Sequence, residues 1–174
     1  MSSILRFGDC WPFIAPSAFV APGARIIGDV TIGEDSSIWY NCVLRGDVER
    51  ITVGSRTNIQ DGSVVHVTTN RYATSIGDDV LIGHLAMIHG CVLENHSFIG
   101  LGAIVMDGCV VESDGMLAAG AMLTPGKRIR RAELWAGRPA RLLRLLSEPE
   151  IAQNRRGAAS YVETAKLHKA SLAV

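Results

Sequence analysis

The chain has no net charge, no C-x-x-C pair among its 4 cysteines, no apolar run long enough to span a bilayer, and few aromatics: 4 Phe, 3 Trp and 3 Tyr in 174 residues. Each shortage excludes something. Without about 18 consecutive apolar residues there is no transmembrane helix, so no membrane partner is expected. The opening MSSILRFGDC lacks a basic region followed by an apolar one, so no secretory leader is expected and the cytoplasm is the expected address. Cys10, Cys42, Cys91 and Cys109 are too scattered for a zinc ribbon or a disulfide framework and are read as buried thiols. What is present is apolar bulk. At 48% hydrophobic residues the chain can build one domain with a sizeable core.

Overall neutrality conceals a division near Lys127. Residues 1–126 hold 6 basic and 13 acidic side chains, whereas residues 127–174 hold 11 basic and 4 acidic. The stretch KRIRRAELWAGRPARLLRLL has the charge to meet nucleic acid, but its leucines read as packing residues and aromatics for base stacking are nearly absent. No nucleic-acid partner is expected. The basic tail is read as the complement of an acidic body or of a neighbouring subunit.

A six-residue period organises the body. Aliphatic residues fall at Val20, Ile26, Ile32, Ile38 and Leu44, resume at Val53, Ile59 and Val65, and resume again at Ile76, Ile82 and Ile88. One residue is then lost, and the beat runs from Leu93 through Ile99, Val105, Val111, Leu117 and Leu123 to Ile129. Helices space apolar residues by three and four, and half-buried strands alternate by two, so neither accounts for a sustained period of six. Gly33, Gly54, Gly77, Gly83 and Gly100 each follow a beat, where a tight corner calls for a residue without a Cβ. The pattern predicts an all-β solenoid, a parallel β-helix in which three hexapeptides make one triangular coil, giving about six coils. Its left hand is taken from the resemblance to hexapeptide-repeat proteins.

The expected organisation is an N-terminal arm over residues 1–19, the left-handed β-helix over 20–131, and a turn with a helical cap over 132–174. Gly137-Arg138-Pro139 reads as a turn and the leucine-rich stretch after it as a short helix. Ser147-Glu148-Pro149-Glu150 carries a helix-start signal, predicting a C-terminal α-helix from about Glu150 to Leu172 with Ile151, Ala158, Val162 and Ala165 on one side.

The beat also aligns polar residues. Beats three apart share a face, about 4.8 Å apart. Leu44, Val65 and Ile88 are such a set, and the residues after them are Arg45, His66 and His89. Two imidazoles on adjacent coils can share a metal ion. His84 follows its beat by two positions, as Asp61 does on the coil before, and belongs to another face. If triangular prisms pack around a threefold axis, that face meets the His66 and His89 face of the next chain, and three histidines converge between subunits. Three imidazoles with one open position are the ligand set of catalytic zinc. His96 and His168 are read as surface or interface residues.

At this point the motifs L-R-G-D at 44–47, N-I-Q-D at 58–61, V-V-H at 64–66, G-H-L-A-M-I-H-G at 83–90 and W-A-G-R-P-A-R at 135–141 resemble the gamma class of carbonic anhydrases, homotrimeric left-handed β-helix proteins. The resemblance implies reversible hydration of carbon dioxide to bicarbonate at a trimer interface. It implies zinc, with iron(II) or cobalt(II) as alternatives, on His66, His84 and His89. It places Gln60 beside the metal's water, Asn58 in support, and Tyr161 reaching in from the tail helix. Arg45, Asp47 and Asp61 would form charged links near or across the interface, where an ion pair holding the trimer is the preferred role for Arg45 and Asp47. The pattern departs from the family's at the proton carriers: Val48 follows Asp47, and the loop VTTNRYATS at 67–75 has no acid. Glu49 and Tyr161 are candidate substitutes. Two other classes fit the repeat: an acyltransferase using one histidine as base with acyl-coenzyme A along the prism, and a noncatalytic scaffold.

Overall fold

A computed structural model describes residues 3–172. The chain winds into a parallel β-solenoid of about seven turns, with one helix, Glu148–Ser171, at its C-terminal end. The six-residue beat is the cause. Of the 18 beats, 17 are buried and Val20 is half-buried, and each stacks in register on a counterpart in a neighbouring coil, as in the series Ile59, Ile82, Ile99 and Leu117. Burying each such side chain stabilises the coil by about 1.5–3 kcal/mol.

The beat continues past both expected ends, which is why there are more coils than the count from Val20 gives. Ile14, six residues before Val20, pairs with Ile32, and Trp135, six after Ile129, pairs with Leu117. Ile4–Leu5 also pairs with Ile26–Ile27, so coil stacking reaches into the segment read as an arm.

The glycines after the beats do not serve as left-handed corners. The left-handed residues lie two positions further on, at Asp35, Arg56, Asp79, Leu85 and Gly102. A Cβ on Gly33 would lie 2.6 Å from the Gly54 carbonyl, and one on Gly100 would lie 2.3 Å from the Ala119 nitrogen. Close approach of successive coil backbones is what requires glycine there.

Where the rhythm breaks, it breaks at one corner on three successive coils: between Leu44 and Val53, between Val65 and Ile76, and between Ile88 and Leu93. The strand Val43–Val53 takes 11 residues to follow the path that Arg25–Ile32 covers in 8, and the register slips between Gly28 and Val30. Residues 47–50 bulge outward as a result.

The expected short helix after Pro139 is instead a strand. Glu133–Gly137 stacks on Met116–Leu117 and would leave its far edge open, and Ala140–Leu145 returns antiparallel to fill it. Pairing of that edge overrides helical propensity. Leu142, Leu143 and Leu145 are consequently exposed, while Leu146 packs with Leu134 and Ile151.

The C-terminal helix begins two residues earlier than expected, with Ser147 as N-cap and the Glu150 carboxylate accepting from the Ser147 N–H at 2.9 Å. Ile151, Ala158 and Ala165 are buried and Val162 half-buried. Arg155 donates to both oxygens of the buried Asp114 at 2.9 Å. His168 is a docking residue within the chain, its ring 4.9 Å from that of Trp39 and its Nδ1 2.8 Å from the Tyr40 hydroxyl. His96 is half-buried, with Nδ1 enclosed and unpartnered.

Cys42, Cys91 and Cys109 are buried, and burial pushes all three thiols up, Cys42 to about 11, so none is a ready nucleophile. Cys10 is exposed, against expectation, because it lies in the turn bridged to Phe7, outside the coil interior. Among the described residues no helix is long and apolar enough to cross a membrane.

Candidate metal centre

His66 ends the strand Val64–His66 and His89 ends Met87–His89, and these strands pair in parallel with His89 opposite His66. The beats Val65 and Ile88 point inward, so the alternation of a strand turns both imidazoles outward on the same face. Nδ1 of His66 lies 3.0 Å from Nε2 of His89. The other ring nitrogens are each backed by a carboxylate. Nε2 of His66 lies 3.0 Å from Oδ1 of Asp47, and Nδ1 of His89 lies 2.6 Å from Oδ1 of Asp107. Asp47 also accepts from Arg45, and Asp107 accepts from the Thr68 hydroxyl at 2.8 Å. The bulge at 47–50 is what carries Asp47 to His66.

Partial burial raises the pKa of Asp47, but hydrogen bonds from Arg45 and His66 outweigh it and hold the carboxyl below its ordinary value. Asp107 behaves alike, burial being overcome by hydrogen bonds from His89 and Thr68. Both are therefore carboxylates, which only accept, so Nε2 of His66 and Nδ1 of His89 must carry protons. Two neutral imidazoles then have none left for the gap between them, where two lone pairs would face each other. That gap calls for a proton or a cation. Two nitrogens about 2.0–2.1 Å from a tetrahedral ion stand roughly 3.3 Å apart, close to the spacing found, so the donor pair fits a metal such as zinc.

His84 lies on a different face. Its Nδ1 is 2.8 Å from Oδ2 of Asp61, leaving Nε2 free on a side chain 40% exposed. Gln60 precedes Asp61, is buried, and donates from Nε2 to Oδ1 of Asn58 at 3.0 Å; Asn58 in turn donates to the Val80 carbonyl at 3.4 Å. Tyr161 comes from the helix, edge-on to Trp39 with ring centroids 5.4 Å apart. Burial pushes its phenol up and the negative charge of Asp61 adds to the shift, so near neutrality it is a hydroxyl donor.

The sequence-predicted residues thus fall into two groups: Arg45, Asp47, His66 and His89 on one face, and Asn58, Gln60, Asp61, His84 and Tyr161 about another. Among the described residues of a single chain, no three His, Cys, Asp or Glu side chains are grouped to hold a metal. Arg45 and Asp47 pair within the chain. Asp107, Thr68 and Thr74, whose hydroxyl donates to the His66 carbonyl at 2.7 Å, were not legible as site residues. Asp107 follows its beat by two positions, one coil beyond His89, so a search confined to residues directly after a beat passes over it.

A model of the bacterial transferase hexapeptide (six repeats) matches residues 12–46. Gamma carbonic anhydrase 1, mitochondrial, of Arabidopsis thaliana is 49% identical over 97% of this chain, which spans 63% of the plant protein's length. A probable carbonic anhydrase of Methanocaldococcus jannaschii is 50% identical over 86% of this chain and 94% of that protein. Among solved structures, a hexapeptide transferase family protein from Anaplasma phagocytophilum superposes with a TM-score of 0.90 at 48% identity, covering 94% of this chain and 96% of that one. A putative acetyltransferase from Bacillus cereus gives a TM-score of 0.94 at 36% identity, covering 96% of each. With identity at this level spread over the solenoid and the tail, the chain belongs to the gamma carbonic anhydrase family of hexapeptide-repeat proteins.

Proposed function

We propose that the chain assembles as a homotrimer and hydrates carbon dioxide reversibly to bicarbonate, with zinc held by His66 and His89 of one protomer and His84 of the partner subunit. The observation that carries this reading is the facing pair of imidazole nitrogens, 3.0 Å apart, with an aspartate behind each ring. Zinc on three imidazoles lowers the pKa of water from about 15.7 to about 7, supplying a nucleophile near neutrality.

The chain's own residues do the rest. Asp47, Asp61 and Asp107 keep the distal ring nitrogens of His66, His84 and His89 protonated, so the opposite nitrogens present lone pairs. Asn58 occupies the amide nitrogen of Gln60, and the Gln60 oxygen is the end that orients the attacking water. The neutral phenol of Tyr161 donates to the bicarbonate oxygen as charge develops there. Glu49, in the bulge beside Asp47, is the candidate carboxylate for taking the proton outward in place of the missing acids. Imidazole ligation suits iron(II) as well as zinc, and cobalt(II) is the other candidate ion.

Elemental analysis combined with stopped-flow hydration tests the proposal. The expected result is about one divalent ion per chain and a hydration rate that rises through a basic limb near neutrality. Pure protein without metal, or metal-loaded protein without turnover, overturns it. The likeness to a putative acetyltransferase of Bacillus cereus supports a second reading, acyl transfer from an acyl-coenzyme A. Its signature is acylation that survives metal removal.

A further inference from the structure

The insertion at residues 67–75 has no acid to carry protons, yet it is one of the best-tied segments beside the histidines. Thr68 and Tyr72 exchange backbone hydrogen bonds of 3.0 and 3.1 Å, closing the loop on itself. Tyr72 lies along the corner column of Gly90 and Gly108, where a Cβ on Gly90 would come within 2.8 Å of the Tyr72 Cβ and one on Gly108 within 3.2 Å of its ring. The Arg71 guanidinium lies 5.1 Å from the Tyr72 ring centroid. From this closed loop Thr68 reaches Asp107 at 2.8 Å, 39 positions away in sequence, and Thr74 reaches the His66 carbonyl at 2.7 Å. The loop therefore ties the His66 strand to the aspartate that backs His89.

We infer that this insertion is a positioning brace: Thr68 fixes the Asp107 carboxylate, and Asp107 fixes the tautomer and ring orientation of His89, so that its Nε2 lone pair faces His66. The inference rests on the reading of this site as a metal centre. Asp107 touches no reacting atom and acts through His89. Its Oδ1 accepts a hydrogen bond from the Nδ1–H of His89 at 2.6 Å, while the Thr68 hydroxyl donates to Oδ2, so the carboxylate cannot rotate away without losing one of the two. An outer partner of this kind typically changes metal affinity by about 10- to 100-fold. Two glycines in register supply the space for Tyr72, which locks the loop against the same coils that carry His89 and Asp107.

The decisive readout does not need the metal. In metal-free, nitrogen-15-labelled protein, the His89 ring should show Nδ1 protonated, with Nε2 facing the His66 nitrogen across the gap. Asp107→Ala should shift it toward the opposite tautomer, Thr68→Val should move it part of the way, and Asp107→Asn, whose Oδ1 still accepts, should restore it. In chelator competition, zinc binding should weaken by about 10- to 100-fold in Asp107→Ala and by less in Asp107→Asn. A parent-like His89 tautomer in Asp107→Ala overturns the inference. If Asp107→Ala fails to fold, the shape-matched Asp107→Asn and Thr68→Val carry the test, and an unmoved signal in Thr68→Val overturns the brace. Absence of zinc binding in the parent would overturn the proposed function instead, leaving the tautomer to decide the brace separately.

Discussion

Nδ1 of His66 and Nε2 of His89 face each other at 3.0 Å although 23 positions separate them in the chain. The solenoid makes this possible: one coil advances the chain by a single strand spacing, so distant residues become neighbours when their beats share a face. Aspartates close the row at both ends, from Asp47 through the two imidazoles to Asp107. A row with acceptors at both ends and two neutral rings between is one cation short, and the metal reading follows from that deficit.

The loop's lack of acid has a kinetic consequence. With Val48 after Asp47 and no carboxylate in residues 67–75, proton export is the slow step of the proposed reaction, and a small imidazole buffer should accelerate turnover in a saturable way. Initial rates measured against buffer concentration at fixed pH check this. A flat dependence would mean that Glu49 or another group already carries the proton fast enough.

Glycine chemistry gives a stability contrast. Gly100→Ala puts a methyl group 2.3 Å from the Ala119 nitrogen, so two coils must separate, at the upper end of overpacking costs, about 3 kcal/mol. Gly126→Ala meets nothing within 4 Å and pays only for its left-handed φ of +70°, about 1 kcal/mol. Urea unfolding of the two variants should rank them in that order, and the reverse ranking would remove close coil approach as the reason for glycine at position 100.

Much of this molecule was legible because a period of six is hard to produce except by a triangular coil. The beats located the core and placed His66 beside His89, and the two-position offset put His84 with Asp61 on another face. Less legible was what happens where the period fails. The insertions at 47–50 and 67–75 and the shortened step after Ile88 share one corner, and that corner carries Asp47, Thr68 and Thr74 to the histidines. Loop residues follow no repeat, so spacing cannot place them. The strand Ala140–Leu145 was misread for a different reason: its leucines suggest a buried helix, but an open sheet edge decided the outcome.

The helix start responds to acid in a defined direction. Arg144 donates to Glu150 in two places, and the Ser147 backbone and hydroxyl add to this, lowering the Glu150 carboxyl from 4.5 to about 2. A depressed folded-state value means the contribution to stability is complete above the ordinary pKa and is lost as pH falls toward 2. Melting temperature between pH 5 and pH 2 should therefore drop less steeply in Glu150→Gln than in the parent, from a lower starting point. Parallel curves would show that the Ser147 cap and Arg144 contribute nothing through this carboxylate.

The two histidine faces permit a test of the proposed sharing of a metal between chains. If His66 and His89 come from one protomer and His84 from the partner subunit, His66→Ala and His84→Ala are each inactive alone. Unfolded, mixed in equal amounts and refolded, they form trimers in which some interfaces join an intact His66 and His89 face to an intact His84 face. For random assembly, an interface is whole when the first chain is the His84→Ala protein and the next is the His66→Ala protein, which occurs in about a quarter of cases. Metal content and hydration rate should both recover to about that fraction. Mixing His66→Ala with His89→Ala must restore nothing, because each chain spoils its own face, where the two rings stand 3.0 Å apart. Recovery in that control would separate His66 from His89 in the working assembly. No recovery in the first mixture would overturn the sharing of one site between His66 and His89 of one chain and His84 of the next.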